Sequence, residues 1–353
     1  MGQRPRTVGI PTMRDVATMA GVSTMTVSRV LRDEPRVAAE VRTRVLDAVQ
    51  RLGYRRNENA RGLRLGNKTG LIGLIVTNLA NPFYAQLALG IEATAAEHDL
   101  HVVLGNTGEN ATRERELVEK LAGRQVDGLI VVPAGYEHSH LSADSLHDVP
   151  VVLAARPPIG IAADCVLVDD FTGAHAATAQ LVANGHRRIA FLGNPPSVYT
   201  GVERYHGFCV ALDQAGIPLD ERYVRRAQQD IQAAERAALD VLCLDNPPTA
   251  LFCTNNRNTI GAVRAIKRLD TPTAIAAFDD FELADVLDVP LTIVSYDAAE
   301  LGRQALKLLL DRMTRRDDLP RRAVIPTSLI THGDLTCGRG AALPGLGDRS
   351  LGG

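Results

Sequence analysis

Side chains suited to recognition chemistry crowd together early in the chain, where Ser23, Thr24, Met25, Thr26, Ser28 and Arg29 follow closely on Gly21. Their hydroxyl groups and one guanidinium can pair with base edges or phosphates, and residues this small leading a helix can enter a major groove without steric conflict. Signatures of catalysis are missing from the sequence. It has no GxGxxG after an apolar run, no GxxxxGK[ST], no HExxH and no GxSxG. Its cysteines, Cys165, Cys209, Cys243, Cys253 and Cys337, are odd in number and form no CxxC pair. That fits neither a disulfide framework nor a zinc site, so neither a metal nor a cofactor is expected.

Three helices must position the early cluster. Thr12 and Asp15 form an N-terminal capping signature, Val16, Ala17 and Ala20 recur at helical spacing, and Gly21 breaks the pattern, so the first helix is predicted to end near Met19. Ser23 can cap a second helix whose apolar face is Val27, Val30 and Leu31. A third, from Ala39 to Leu52, carries Val41, Val45, Val49 and Leu52 on one stripe and stops at Gly53. Two short helices around a glycine turn make a helix-turn-helix. A generic helical hairpin is the alternative at this level.

Beyond Gly70 the pattern changes. Apolar runs at Leu71–Val76, Val102–Gly105, Gly128–Val132, Val151–Ala154, Ile189–Gly193, Ala250–Cys253, Ala274–Phe278 and Thr292–Ser295 alternate with helical segments. Such alternation implies parallel sheets covered on both faces, and this many strands implies two doubly wound lobes with a cleft between them.

The charge is divided in the same way. Of 39 basic and 41 acidic residues, 14 and 6 lie in residues 1–70, a net +8 that leaves −10 on the remainder. A basic head on an acidic body suits a polyanion partner for the head alone, or simply a solvated basic face. The N-terminus has no apolar run that could serve as a signal peptide and no later stretch suits a membrane span, so a soluble cytoplasmic protein is expected.

The string from Thr12 to Leu31, with its Ala-Gly-Val-Ser turn and Thr-Val-Ser-Arg-Val run, closely resembles the N-terminal helix-turn-helix of the LacI/GalR regulators. The likeness continues through Arg44-Val-Leu and Leu52-Gly-Tyr54. It implies base contacts by Thr24, Met25 and Arg29, and backbone contacts by Ser23, Thr26, Ser28 and Asn57. The segment Asn57–Leu63 resembles the family's hinge helix, which implies minor-groove contacts by Ala60 and a Leu63 wedge. From Leu71 to about Thr331 the chain resembles the family's effector body and the periplasmic sugar-binding proteins, through Asn81-Pro-Phe-Tyr, Asp127-Gly-Leu-Ile, Gly185-His-Arg-Arg-Ile-Ala-Phe, Arg204 with Gly207-Phe208, and Phe278-Asp-Asp.

Carried over position by position, the effector-binding residues would be Asn81, Phe83, Arg156, Arg204, Asn255 and Asp279. All fall at or just beyond the ends of predicted strands, where open α/β sheets bind ligands. Singly, Asn81-Pro82 could be only a turn, Asp279 only a helix cap and Arg204 part of a solvated face. Departures are visible too. Ala38 stands where the family often has a polar cap, Arg56 replaces a common proline, Ala155 replaces a carboxylate that often binds ligand hydroxyls, and the 270–275 segment is short.

The expected organisation is a helix-turn-helix domain at 1–56, a hinge at 57–68, a two-lobed effector-binding and dimerisation core at 69–333 and a disordered tail at 334–353. The expected function is that of a sequence-specific DNA-binding transcription repressor, without enzymatic activity. It would act as a homodimer on a pseudo-palindromic operator, controlled by a sugar or sugar derivative. A cytoplasmic sugar-binding protein, or an enzyme on a doubly wound core, is the alternative.

Overall fold

The structure, a computed structural model, describes residues 11–35, 37–54, 69–315 and 318–337. Asn57, Ala60 and Leu63 lie outside the described residues. The chain divides into two compact units, residues 1–69 and 70–353.

The first unit contains α1 (Met13–Ala20), α2 (Thr24–Leu31) and α3 (Ala39–Leu52). Thr12 caps α1 reciprocally with Asp15: the Thr12 N–H donates to the Asp15 carboxylate at 2.7 Å, and the Asp15 N–H donates back to the threonine hydroxyl at 3.4 Å. The helix runs one residue past the predicted stop and ends where Gly21 turns left-handed, φ 63°. Ser23 then caps α2, its hydroxyl accepting from the Thr26 N–H at 3.1 Å. Val16, Ala17, Ala20, Val27, Val30, Val45 and Ala48 form the buried centre, with Val41, Val49 and Leu52 packed around it. Ala38 offers α3 no side-chain cap, as its residue type requires.

The second unit has two six-stranded sheets. One has the order β11-β5-β4-β3-β1-β2 and the other β12-β10-β9-β8-β6-β7. The strands are β1 (Leu71–Val76), β2 (His101–Asn106), β3 (Gly128–Val131), β4 (Val151–Ala154), β5 (Asp164–Val168), β6 (Ile189–Leu192), β7 (Val224–Arg225), β8 (Ala250–Cys253), β9 (Ala274–Phe278), β10 (Leu291–Ser295), β11 (Arg322–Ile325) and β12 (Ser328–His332). Every pairing is parallel except that of β10 with β12.

Helices α4 (Pro82–Ala96) and α10 (Ala298–Thr314) pack together on one face of the first sheet, with α5 (Ala111–Gly123) on the other. On the second sheet, α6 (Asp170–Ala183) and α7 (Tyr199–Gln214) share one face, and α8 (Ile231–Leu242) and α9 (Asn256–Leu269) share the other. Central strands buried on both faces read as continuous apolar runs, and this is what made them visible in the sequence.

The chain crosses between lobes after β5, after β10 and between β11 and β12. The eight predicted strands are present, but β5, β7, β11 and β12 escaped the sequence reading. β5 opens on Asp164, whose buried carboxylate accepts from Arg312 at 2.7 Å and from the Arg321 N–H at 2.7 Å, partners far away in sequence. The expected disordered tail also begins too early. Leu335 is buried and its carbonyl lies 2.8 Å from His186 Nε2, while the Cys337 N–H donates to Asn184 O at 2.9 Å, so the chain is anchored to the core at residues 335 and 337. Their Gly- and charge-rich surroundings hid these distant partners.

Candidate nucleic-acid interface and ligand cleft

α2 is two-sided. Val27 and Val30 point into the head, while Ser23, Thr24, Met25 and Arg29 are exposed, Met25 at 60%. An apolar side chain this open on a small domain has no packing role there. The cap geometry also occupies Ser23, whose hydroxyl lies 2.9 Å from that of Thr26. Ser28 accepts from Arg32 at 3.0 Å. Two neighbours went unnoticed in the sequence: Glu34 lies 3.9 Å from Arg29 and 3.4 Å from Arg32, so one carboxylate faces both guanidiniums at the end of α2. The Ser28–Arg32 spacing was the available signal, since residues four apart on a helix are neighbours.

In the core, all six sequence-predicted effector residues line one cavity. Asn81 caps α4, accepting from the Phe83 N–H at 3.0 Å, and also accepts from Asn256 of the other lobe at 3.0 Å. Phe83, half-buried, stands edge-on to Tyr84 with ring centroids 4.9 Å apart. Asn255 caps α9 through Asn258 at 2.9 Å and donates to Asn194 at 2.7 Å. Asparagine side chains thus fix the strand-to-helix turns and also edge the cavity.

Arg204 and Asp279 are not on a solvated face. The Arg204 Nε donates to Asp170 at 2.7 Å, and Nη1 donates to Asp279 at 3.2 Å and to the Thr254 carbonyl. The guanidinium lies over the Phe278 ring, 3.7 Å from its centroid. Tyr296 donates to Asp279 at 2.7 Å. Asp279 itself is held left-handed, φ 67°, a conformation Asp tolerates better than most residues. Burial pushes the Asp170 carboxyl up to about 6 despite the pull of Arg204, and burial followed by the Asp279 charge pushes the Tyr296 hydroxyl well up. Asp170 and Tyr296 sit at two of the lobe crossings, so this network touches the connections about which the lobes would turn. Its long-range pairings left no local signal.

Arg156, 3% exposed, donates through both terminal nitrogens to Glu109, at 2.5 and 2.8 Å, and to the Pro133 carbonyl at 2.6 Å. Ala155 brings no carboxylate to the cavity wall, and Glu109 supplies one from the loop after β2. A second contact joins the two lobes, where Tyr136 donates to the Pro196 carbonyl at 2.9 Å.

Known proteins share both units. Residues 12–57 match the model of bacterial regulatory proteins of the lacI family, and residues 69–333 match that of periplasmic binding proteins and the sugar-binding domain of the LacI family. The chain is 31% identical over 311 residues to the HTH-type transcriptional repressor PurR of Mannheimia succiniciproducens, covering 87% of this chain and 93% of that one. The transcriptional regulator CelR in complex with cellobiose superposes with a TM-score of 0.68 at 29% identity, covering 91% of this chain and 98% of that one. The lac repressor dimer bound to operator and an anti-inducer shares the fold, with a TM-score of 0.80 at 24% identity over 93% of this chain and 100% of that one. With a helix-turn-helix head and a ligand-binding-protein core in one polypeptide, the chain belongs to the LacI family of bacterial regulatory proteins and is a DNA-binding transcription regulator.

Proposed function

We propose that the protein is a repressor that binds a pseudo-palindromic duplex as a homodimer in the cytoplasm and is released or retained by a polyhydroxylated ligand in the core cleft. It acts by binding alone. The observation that carries this reading is the convergence of six residues, separated in sequence by up to two hundred positions, on one cavity in a chain that also has an exposed polar recognition helix.

On DNA, Thr24, Met25 and Arg29 read base edges, with Arg29 able to make two parallel bonds to guanine. Ser23, Thr26, Ser28 and Asn57 meet phosphates, and Ala60 and Leu63 enter the minor groove. Asn81, Phe83, Arg156, Arg204, Asn255 and Asp279 hold the effector: amides, carboxylates and guanidiniums pair with hydroxyl groups, and Phe83 offers a ring for an apolar sugar face. The head extends over 1–56, the hinge over 57–68 and the effector core over 69–333.

Exposed apolar side chains on the core support the homodimer. Leu79, Leu283 and Ile330 line a surface groove of about 1120 Å³, with Leu89 and Val286 exposed as well. Apolar surface of this kind marks an interaction face. Ligand bound between the lobes favours one interlobe angle, and affinity for DNA follows from that differential binding.

Selection from a pool of random duplexes with the full-length protein tests the reading. The enriched site should be pseudo-palindromic, and its affinity should fall steeply with added salt. No enrichment, or enrichment of an asymmetric site indifferent to salt, would refute it.

A further inference from the structure

The ion pairs of the cleft restrict what it can bind. Arg156 is a buried cation, and a buried cation without a partner would draw an anion. It already has a partner: Glu109 meets it with both carboxylate oxygens, at 2.5 and 2.8 Å, in the two-pronged geometry that makes such pairs strong. The backbone is committed to this contact on both sides. Glu109 is left-handed at φ 62° behind Gly108 at φ 66°, and Ala155, which delivers Arg156, is left-handed at φ 61°. Non-glycine residues seldom adopt this conformation, and where they do the surroundings hold them there, often at binding sites. Across the cavity, Arg204 is likewise matched, by Asp170 and Asp279.

We propose that Glu109 is a specificity-determining residue, which makes the first lobe's half of the cleft a reader of adjacent hydroxyl groups and closes it to phosphates and carboxylates. This deepens the effector reading above and rests on it. The Glu109 side chain is partly exposed, and each of its oxygens keeps a second acceptor position beyond the arginine bonds. Two neighbouring hydroxyls can donate to those positions. A ligand anion would face the Glu109 charge and find Arg156 already paired. The effector is therefore uncharged at this end, a neutral sugar or the ribose of a nucleoside rather than a sugar phosphate or sugar acid.

The test compares the full-length wild type with Glu109→Gln and Glu109→Asp by titration calorimetry, with folding checked by circular dichroism. The probes are inorganic phosphate and the neutral sugars D-ribose, D-glucose and cellobiose. Glu109→Gln frees Arg156 and should bind phosphate at least tenfold more tightly than the wild type. It should bind whichever sugar the wild type binds at least tenfold more weakly. Glu109→Asp keeps the charge but falls short of the two-pronged contact, so it should lose sugar affinity without gaining phosphate, and it decides the matter if the glutamine variant does not fold. Equal phosphate affinity in wild type and Glu109→Gln, or undiminished sugar affinity in Glu109→Asp, would overturn the proposal. If no sugar binds the wild type, it is the polyhydroxylated-effector reading that fails, while the phosphate comparison still decides the role of Glu109.

Discussion

Replacing Asp170 by asparagine separates two forces that meet in the cleft, burial and the attraction of Arg204. The carboxyl lies 2.7 Å from the guanidinium, which favours its charged form, yet it is fully enclosed, which favours the neutral form. Burial prevails and raises it from 3.8 to about 6. At about 1.36 kcal/mol per pH unit this corresponds to roughly 3 kcal/mol. A folded-state value above the unfolded one means that the folded protein holds the proton more tightly. The stability from this group is complete below about pH 4 and is lost as the pH rises through about 6. Asparagine carries no charge at either end of that range. The stability of Asp170→Asn relative to the wild type should therefore climb by roughly 3 kcal/mol between pH 4 and pH 7 and level off above it. Urea unfolding of both full-length proteins, followed through the core transition at half-unit pH intervals, measures the difference. A flat difference, or one that falls as the pH rises, would show that Arg204 outweighs burial and would refute the reasoning.

Arg29→Ala should cost about 1–3 kcal/mol at the selected duplex and relax base preference at one position per half-site, read by competition with single-base variants. A uniform loss on all duplexes would assign Arg29 to phosphate. A β-carbon at Gly302 would fall 2.2 Å from the Leu87 carbonyl oxygen and 3.0 Å from the Ile91 nitrogen, so Gly302→Ala must push α10 away from α4. Its thermal midpoint should drop by several degrees, for a cost of about 1–3 kcal/mol, and an unchanged midpoint would contradict the close approach. Tyr136→Phe removes one neutral hydrogen bond between the lobes, worth about 0.5–1.5 kcal/mol, and should weaken the binding of a ligand that favours this lobe arrangement two- to tenfold by calorimetry. Unaltered affinity would mean that this contact is worth as much in the free form as in the liganded one.

What was legible in the sequence is what is encoded locally. Thr12, Gly21 and Ser23 announce the helix ends by residue type, and β1, β3, β8 and β9 are apolar throughout because both faces are covered. The cleft was legible for a different reason: the resemblance to the LacI/GalR effector body carried its six residues over, and most of them follow strand ends, which converge in open α/β folds, while Arg204 reaches the cavity from within α7. What lay hidden was set by distant partners. β5 starts on a charged residue whose carboxylate pairs with Arg312 and Arg321, and Leu335 and Cys337 are held by His186 and Asn184. The Arg204 network joins Asp170, Thr254, Asp279 and Tyr296, and the Glu109–Arg156 pair joins loops forty-seven positions apart. Charged side chains of this kind look like surface until the fold shows what encloses them. Ala155 illustrates the point, because it stands where the family often has a carboxylate and Glu109 brings one to the cavity from another loop.

Ligand control of DNA binding requires coupling between cleft and head. The decisive measurement is the affinity of the full-length protein for its selected duplex, by fluorescence anisotropy, with and without a saturating ligand that calorimetry places in the cleft. It should be repeated with Asp279→Asn, which keeps the size of the side chain and removes its charge beside Arg204. The wild-type affinity should change by at least tenfold, equivalent to about 1.4 kcal/mol of coupling, and the variant's should not respond. A wild-type affinity indifferent to the bound ligand would contradict the account.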